Sequence, residues 1–250
     1  MIYNAHTAWL KELFPHGIDA NESILISGPG GSGKPLVELA FVDSWLKNGG
    51  SVIGIPLQYP SLEMVNQSMY EIYKTDLKAY HKHVVMIAFN PTLNDEILIK
   101  DQVISANLIL PGMWEKTMNE AISKLEPSKL GVLVFASALN LLLFNEHYKE
   151  DMLFLIKNIL SGNTQYTSLF TVSNNVYPED IKIWEDAADN LMFTELSQEK
   201  ILTLFIKRIK HSYCTQHQKI IPIDAKVLSE IEIIAKSTRN KNIQAIKAIT

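Results

Sequence analysis

The chain has 250 residues, 47% of them hydrophobic and 20% charged, with a formal net charge of −4. This is the composition of an ordinary globular protein with enough apolar material for a sizeable core, and the charge excludes a global basic field that would recruit nucleic acid or an acidic membrane. A single cysteine, Cys214, excludes an internal disulfide framework and suits a reducing cytoplasm.

In chain order, Met1–His6 lacks the basic region and apolar core of a signal peptide. Glu22–Ser27 predicts a buried strand that runs straight into a glycine-rich loop, Gly28 to Pro35. From Pro35 to Lys47, Leu36, Leu39, Ala40, Val42 and Trp45 recur at helical spacing, and Asn48-Gly49-Gly50 stops the helix. Ser51–Leu57 predicts a second strand, Leu62–Tyr73 a second helix and His83–Phe89 a third strand. Asn90 to Leu110 has apolar pairs without a clean period and reads as irregular. A helix follows over Met113–Leu125. Leu130–Phe135 is continuously apolar, as a strand buried on both faces of a parallel sheet is. The apolar run from Gly131 to Phe144 is broken by Ser137 and Asn140 and is too short to span a bilayer. Lys149–Leu160 predicts a helix ended by Ser161-Gly162-Asn163, and Thr167–Val172 another central strand. Asn190–Thr194, Lys200–Lys210 and Lys219–Ile223 alternate as antiparallel strands do, and Ala225–Lys236 is helical. The expectation is an α/β fold with a mostly parallel central sheet flanked by helices and a small antiparallel extension near the C-terminus. Residues 1–223 form the domain and 224–250 its C-terminal helical extension. A soluble, cytoplasmic protein without membrane contact is expected.

The glycine loop, Gly28-Pro29-Gly30-Gly31-Ser32-Gly33-Lys34-Pro35, matches G-x-x-x-x-G-K-[ST] until its last residue. A hydroxyl there ordinarily ligates the magnesium that bridges nucleotide phosphates. Proline brings no such oxygen and deletes one backbone N–H from the row that cradles phosphate. These eight residues are the candidate nucleotide-binding set.

Strand, loop, helix, strand, helix, with an apolar strand about one hundred residues after the loop, resembles the RecA-superfamily P-loop ATPases. Ile24–Lys34 looks like the loop of the KaiC-like branch, which is common in archaea and includes the archaeal recombinase relatives and the archaellum motor accessory ATPase. Val52–Glu63 looks like the strand that carries its catalytic glutamates, Val132–Ser137 like its Walker B strand, and Leu204–Ser212 like the strand bearing a Lys-x-Arg pair. The likeness covers roughly Thr7 to Ile223, and the loop is its one strongly specific motif.

The resemblance implies ATP hydrolysis, which needs a lysine on the phosphates, a metal held by a hydroxyl and a carboxylate, and a group that orients water. Lys34 is present. The hydroxyl position is Pro35, and the Walker B carboxylate position is Ala136, with the neutral Ser137 next to it pointing to the other side of the strand. Where the water-activating glutamate is expected stand Gln58 and Tyr59. The nearest acid, Glu63, lies in the next helix. Arg208-Ile209-Lys210 keeps the two positive charges of the Lys-x-Arg pair in exchanged order, which suits either reaching a neighbouring subunit's nucleotide or a solvated strand face. Three departures together predict a protein that has lost hydrolysis and acts as a regulatory or scaffolding subunit. ATP or ADP remains a candidate ligand and magnesium is not expected; the loop either binds nucleotide or phosphate without metal or persists as a structural relic. The alternatives are an active, atypical ATPase using a displaced acid such as Glu63, and an accessory protein in DNA recombination or repair.

Nucleic acid is disfavoured by the two loops that would hold it. Asn140–Asp151 is apolar and then acidic, and Asn174–Asp189 sets Glu179, Asp180, Glu185, Asp186 and Asp189 against Lys182 alone. The basic tail (Lys236, Arg239, Lys241, Lys247) reads as a solvated helix face. Leu141-Leu142-Leu143-Phe144 is either an exposed apolar patch for a protein partner or self-association, or a buried helix start. His81-Lys82-His83 lacks a third metal ligand, and Cys214 reads as an incidental thiol.

Overall fold

The computed structural model describes residues 1–59, 61–162 and 165–249. Pro60 of the second strand segment, Asn163 of the predicted helix stop and Thr250 lie outside these residues. Two short strands, β1 (Ile2–Tyr3) and β2 (Ile18–Asp19), pair antiparallel across α1 (Ala8–Leu13). The remaining strands are β3 (Ile24–Ser27), β4 (Ser51–Pro56), β5 (Val84–Phe89), β6 (Leu98–Lys100), β7 (Val103–Ala106), β8 (Val132–Ser137), β9 (Thr167–Thr171), β10 (Asn190–Leu196), β11 (Leu202–Arg208) and β12 (Gln218–Ile221). They form one ten-stranded sheet in the order β12-β11-β10-β3-β9-β8-β4-β5-β7-β6. Pairing is parallel from β10 through β7 and antiparallel at each end, β10–β11–β12 and β7–β6.

Both faces of the sheet are covered. Ile24 and Ile26 of β3 join Val52, Leu133, Phe135 and Leu169 in a core under α2 (Lys34–Lys47) and α3 (Leu62–Tyr73). Leu25, Ile53, Val85, Val134 and Phe170 point to the other face, under α4 (Met113–Ser123), α5 (Lys149–Leu160) and α6 (Pro178–Ala187). The alternation follows from the two-residue period of a strand, and burial of both alternating sets explains the unbroken apolar runs. α2 is buried on every side; Trp45 Nε1 donates to Ser51 O at 3.0 Å and so ties the end of α2 to the start of β4. No helix among the described residues is long and apolar enough to cross a membrane.

Four sequence expectations need correction. Asn90–Leu110, read as irregular, contains the β6–β7 hairpin, and β7 pairs parallel with β5. Asn190–Thr194, read as antiparallel, lies parallel to β3 on one side and antiparallel to β11 on the other. Asn174–Asp189, read as a loop, holds α6, with Pro178 in its first turn and Glu179 and Asp180 complementing the helix dipole. The C-terminal helix is much longer than Ala225–Lys236: α7 runs from Ala225 to Lys247, with the Asp224 side chain accepting from Lys226 N at its start.

Candidate functional site

Because β3, β4, β8 and β9 are parallel, the segments that leave their C-terminal ends converge at one rim of the sheet, where open α/β sheets bind ligands. The glycine loop leaves β3 there. Gly28 has φ 139, and a Cβ on it would stand 2.4 Å from Thr194 O of β10, so only glycine fits. Gly33 closes the loop in the left-handed conformation, φ 71, as the cap of α2. Ser32 Oγ shares a hydrogen bond of 2.7 Å with Thr194 Oγ1, and Ser32 N donates to Pro29 O. Pro35 sits in the first turn of α2, where its ring is compatible with the helix.

Lys34 is turned into its own loop. Its Nζ donates to Gly28 O at 2.8 Å, to Pro29 O at 2.6 Å and to Ser32 Oγ at 3.1 Å. The side chain is buried and has no carboxylate partner among the described residues. Burial, and then the charge of Arg239, lower its ammonium from 10.5 to about 7.

One turn further along α2, Glu38 is fully buried and accepts a short hydrogen bond from Ser137 Oγ at the end of β8. Burial pushes its carboxyl up to about 8, against the lowering effect of Ser137. Ser137 is thus the residue that β8 turns toward the loop helix, whereas Ala136 packs into the opposite core. Gln58, two residues past β4, is buried, and its Nε2 makes no hydrogen bond among the described residues.

The roof of the site is α7. A cavity of about 230 Å³ lies between this helix and the loop, with Ser32, Lys34 and Gln58 on one side and Glu232, Lys236 and Arg239 on the other. A Cβ on Gly30 would come within 2.9 Å of an Arg239 guanidinium nitrogen, and one on Gly31 within 3.2 Å of Glu232 Oε1. Glu232 is paired with Lys200 at 2.7 Å. Asn242 Nδ2 donates to Leu57 O at 2.6 Å, and Asn145 Nδ2 to Ile246 O and Ile249 O at 2.9 and 2.8 Å. Those bonds, with the buried Leu228 and Ile246, fix the helix over the loop.

This architecture recurs among solved structures. The flagellar accessory protein FlaH from Methanocaldococcus jannaschii superposes with a TM-score of 0.63 at 14% identity, over 90% of this chain and 96% of that one. The KaiC-like protein PH0186 from Pyrococcus horikoshii OT3 does so with a TM-score of 0.64 at 13% identity, over the same shares. The chain has the KaiC-like, RecA-type P-loop ATPase fold. No protein-family model and no curated protein matches its sequence.

Within that fold, Gly31 to Pro35 of the Walker A loop line the cavity, and Gly28 and Pro29 lie behind them, where Lys34 ties their carbonyls. Glu63 is exposed in the first turn of α3 and is not among the cavity's lining residues. Arg208 is engaged within the chain: its guanidinium donates to Glu185 O at 2.5 Å, Ala188 O at 2.6 Å and Asp189 O at 3.4 Å, closing the C-terminal end of α6. Lys210 pairs with Asp189 at 2.8 Å. Neither is simply solvated.

Leu141, Leu142 and Leu143 are buried in a short 3-10 helix, Leu139–Phe144, packed against α5 and α7, which overturns the exposed-patch reading. Glu185 is buried and accepts from Ser27 Oγ at 2.7 Å, so the acidic segment is partly an internal brace. The basic tail is not a solvated face throughout: Arg239 lies half-buried over the loop, and Lys247 Nζ stands 5.6 Å from the centre of the Phe144 ring. His83 Nδ1 shares a 2.8 Å hydrogen bond with Ser51 Oγ.

Sequence reasoning missed Glu38 and the roof. The signal for Glu38 was an acid four residues past Lys34, alone in the otherwise apolar run Pro35–Val42. For the roof there was only a polar stretch, Lys236–Asn242, with no motif.

Proposed function

We propose that this chain is a non-catalytic member of the KaiC/RecA-like fold group, a regulatory or scaffolding subunit whose loop holds a nucleotide or phosphate without magnesium. The carrying observation is the chemistry around Lys34. The positions that would hold metal and water present Pro35, Ala136 and Gln58, and the acid nearest in sequence to the loop, Glu38, is sealed between α2 and the end of β8. Held near 8 by burial, that carboxyl is largely protonated at neutral pH and donates or accepts hydrogen bonds rather than ligating a cation. Gln58, Lys236 and Arg239, all side chains with donors, line the cavity and suit an anion. The likeness to a protein described as an accessory protein agrees with an ancillary role.

A magnesium-dependent ATPase assay, with Lys34→Ala as control, tests the loss of hydrolysis. The expected result is no turnover that depends on Lys34; turnover abolished by that substitution overturns the reading. Calorimetric titration with ATP and ADP tests the rest. Binding should be the same with magnesium or with a chelator present, since Pro35 and Ala136 stand where the ion's hydroxyl and carboxylate ligands are expected.

A further inference from the structure

We propose that Arg239 supplies, from the C-terminal helix of the same chain, the positive charge that a metal ion supplies at a complete loop of this kind, so that a phosphate or diphosphate group is held between Arg239, Gln58 and the loop. This rests on the reading of the loop as a metal-independent phosphate site.

Three features converge on the cavity. Arg239 lies close enough to Gly30 that a methyl group there would touch its guanidinium at 2.9 Å. Among the described residues that guanidinium makes no hydrogen bond, and Glu232, the acid that acts on it, is paired with Lys200. Its planar set of donors is therefore free to face a phosphate, which it matches in pairs. Gln58 is only 7% exposed, and its Nε2, a donor of two hydrogens, has no acceptor among the described residues. A buried amide left without an acceptor costs stability unless a ligand provides one. The third feature is charge: Lys236 and Arg239 line the cavity against Glu232, which Lys200 already pairs. An anion relieves that imbalance and a divalent cation worsens it.

Size narrows the class of ligand. A volume of about 230 Å³ is below the roughly 300–1,000 Å³ usual for pockets that enclose whole small molecules. One or two phosphate groups fit beneath α7. A free diphosphate and the diphosphate portion of a nucleotide share this chemistry, and affinity for each tells them apart.

The test is calorimetric titration of the full chain with pyrophosphate and, separately, ADP and ATP, in the presence of chelator, for wild type, Arg239→Gln, Arg239→Lys and Gln58→Ala. Thermal melting of each variant checks folding. Arg239→Gln should weaken pyrophosphate binding tenfold or more with its melting temperature unchanged, about what losing one charge-assisted hydrogen bond does. Arg239→Lys should keep part of the affinity, because the charge remains while the paired geometry is lost. Gln58→Ala should weaken binding by a smaller factor. Arg239→Gln binding as tightly as wild type overturns this inference and leaves metal-independent binding standing; tighter binding does the same and makes α7 an obstruction instead. A wild-type chain that binds none of the three ligands, or binds them only with magnesium, overturns the underlying reading as well.

Discussion

Between about pH 4.5 and 8, the Glu38 carboxyl keeps a proton in the folded chain that it releases in the unfolded one, since burial lifts it from its ordinary 4.5 to about 8. The folded state binds more protons over this window, so stability falls as pH rises through it, by up to about 1.4 kcal/mol per pH unit. Lys34, lowered from 10.5 to about 7, acts in the opposite sense only above pH 7. Glu38→Gln removes the titrating group and keeps an oxygen for Ser137. Denaturant unfolding should find the variant close to wild type near pH 4.5 and more stable by about 2–5 kcal/mol at pH 8. A gap that stays constant across this range would show that Glu38 is not the group responsible. This residue also marks where sequence reading runs short. Pro35, Ala136 and Gln58 were legible because a strand and a loop fix their places. Glu38 was not, because its partner Ser137 lies 99 positions away and only tertiary packing brings them together.

At the scale of elements, Asn145 is the joint between α5 and α7. Its Nδ2 donates to the carbonyls of Ile246 and Ile249, while its Oδ1 accepts from His147 N and Tyr148 N at 3.1 Å each. Asn145→Ala removes four hydrogen bonds that join the two helix ends, which should cost about 1–3 kcal/mol in equilibrium unfolding. Limited proteolysis should then cut within α7 faster than in wild type, with the remainder of the chain protected as before; equal rates would mean that Leu228 and Ile246 suffice to seat the helix. The elements best read from sequence are those with explicit signals. α5 spans the predicted residues because Gly162, φ 83, ends it in the left-handed conformation. The β6–β7 hairpin escaped notice because its turn passes through Asp101 at φ 53 rather than a glycine, and all three residues of β6 are exposed, so no apolar alternation marks them. α7 was cut short at Lys236 because its polar second half is held by Asn242 and the end carbonyls, contacts that a periodicity count does not register.

The whole molecule is one sheet between two cores, and its alternating order of strands and helices was plain from the sequence even where single strands were missed. Its two edges differ in kind from its interior. β6 exposes Leu98 (50%) and Ile99 (46%) beside an unpaired backbone, and β12 exposes Ile220 (60%). Such edges invite pairing with another chain. Ile99→Lys should raise the temperature at which heated protein scatters light while leaving the melting temperature within about 1–2 °C, because the residue is outside both cores; an unchanged scattering onset would clear β6 as the aggregating edge. The interior carries a different consequence. β3, which launches the glycine loop near residue 27, has as its sheet neighbours β9 and β10, from residues 167–171 and 190–196. Contacts of such long sequence separation form late. During synthesis, the loop's strand emerges before either neighbour and waits, apolar and unpaired, at least until residues 167–171 have been made. What looks like the anchor of the site is, in the order of assembly, one of the last pieces to be set.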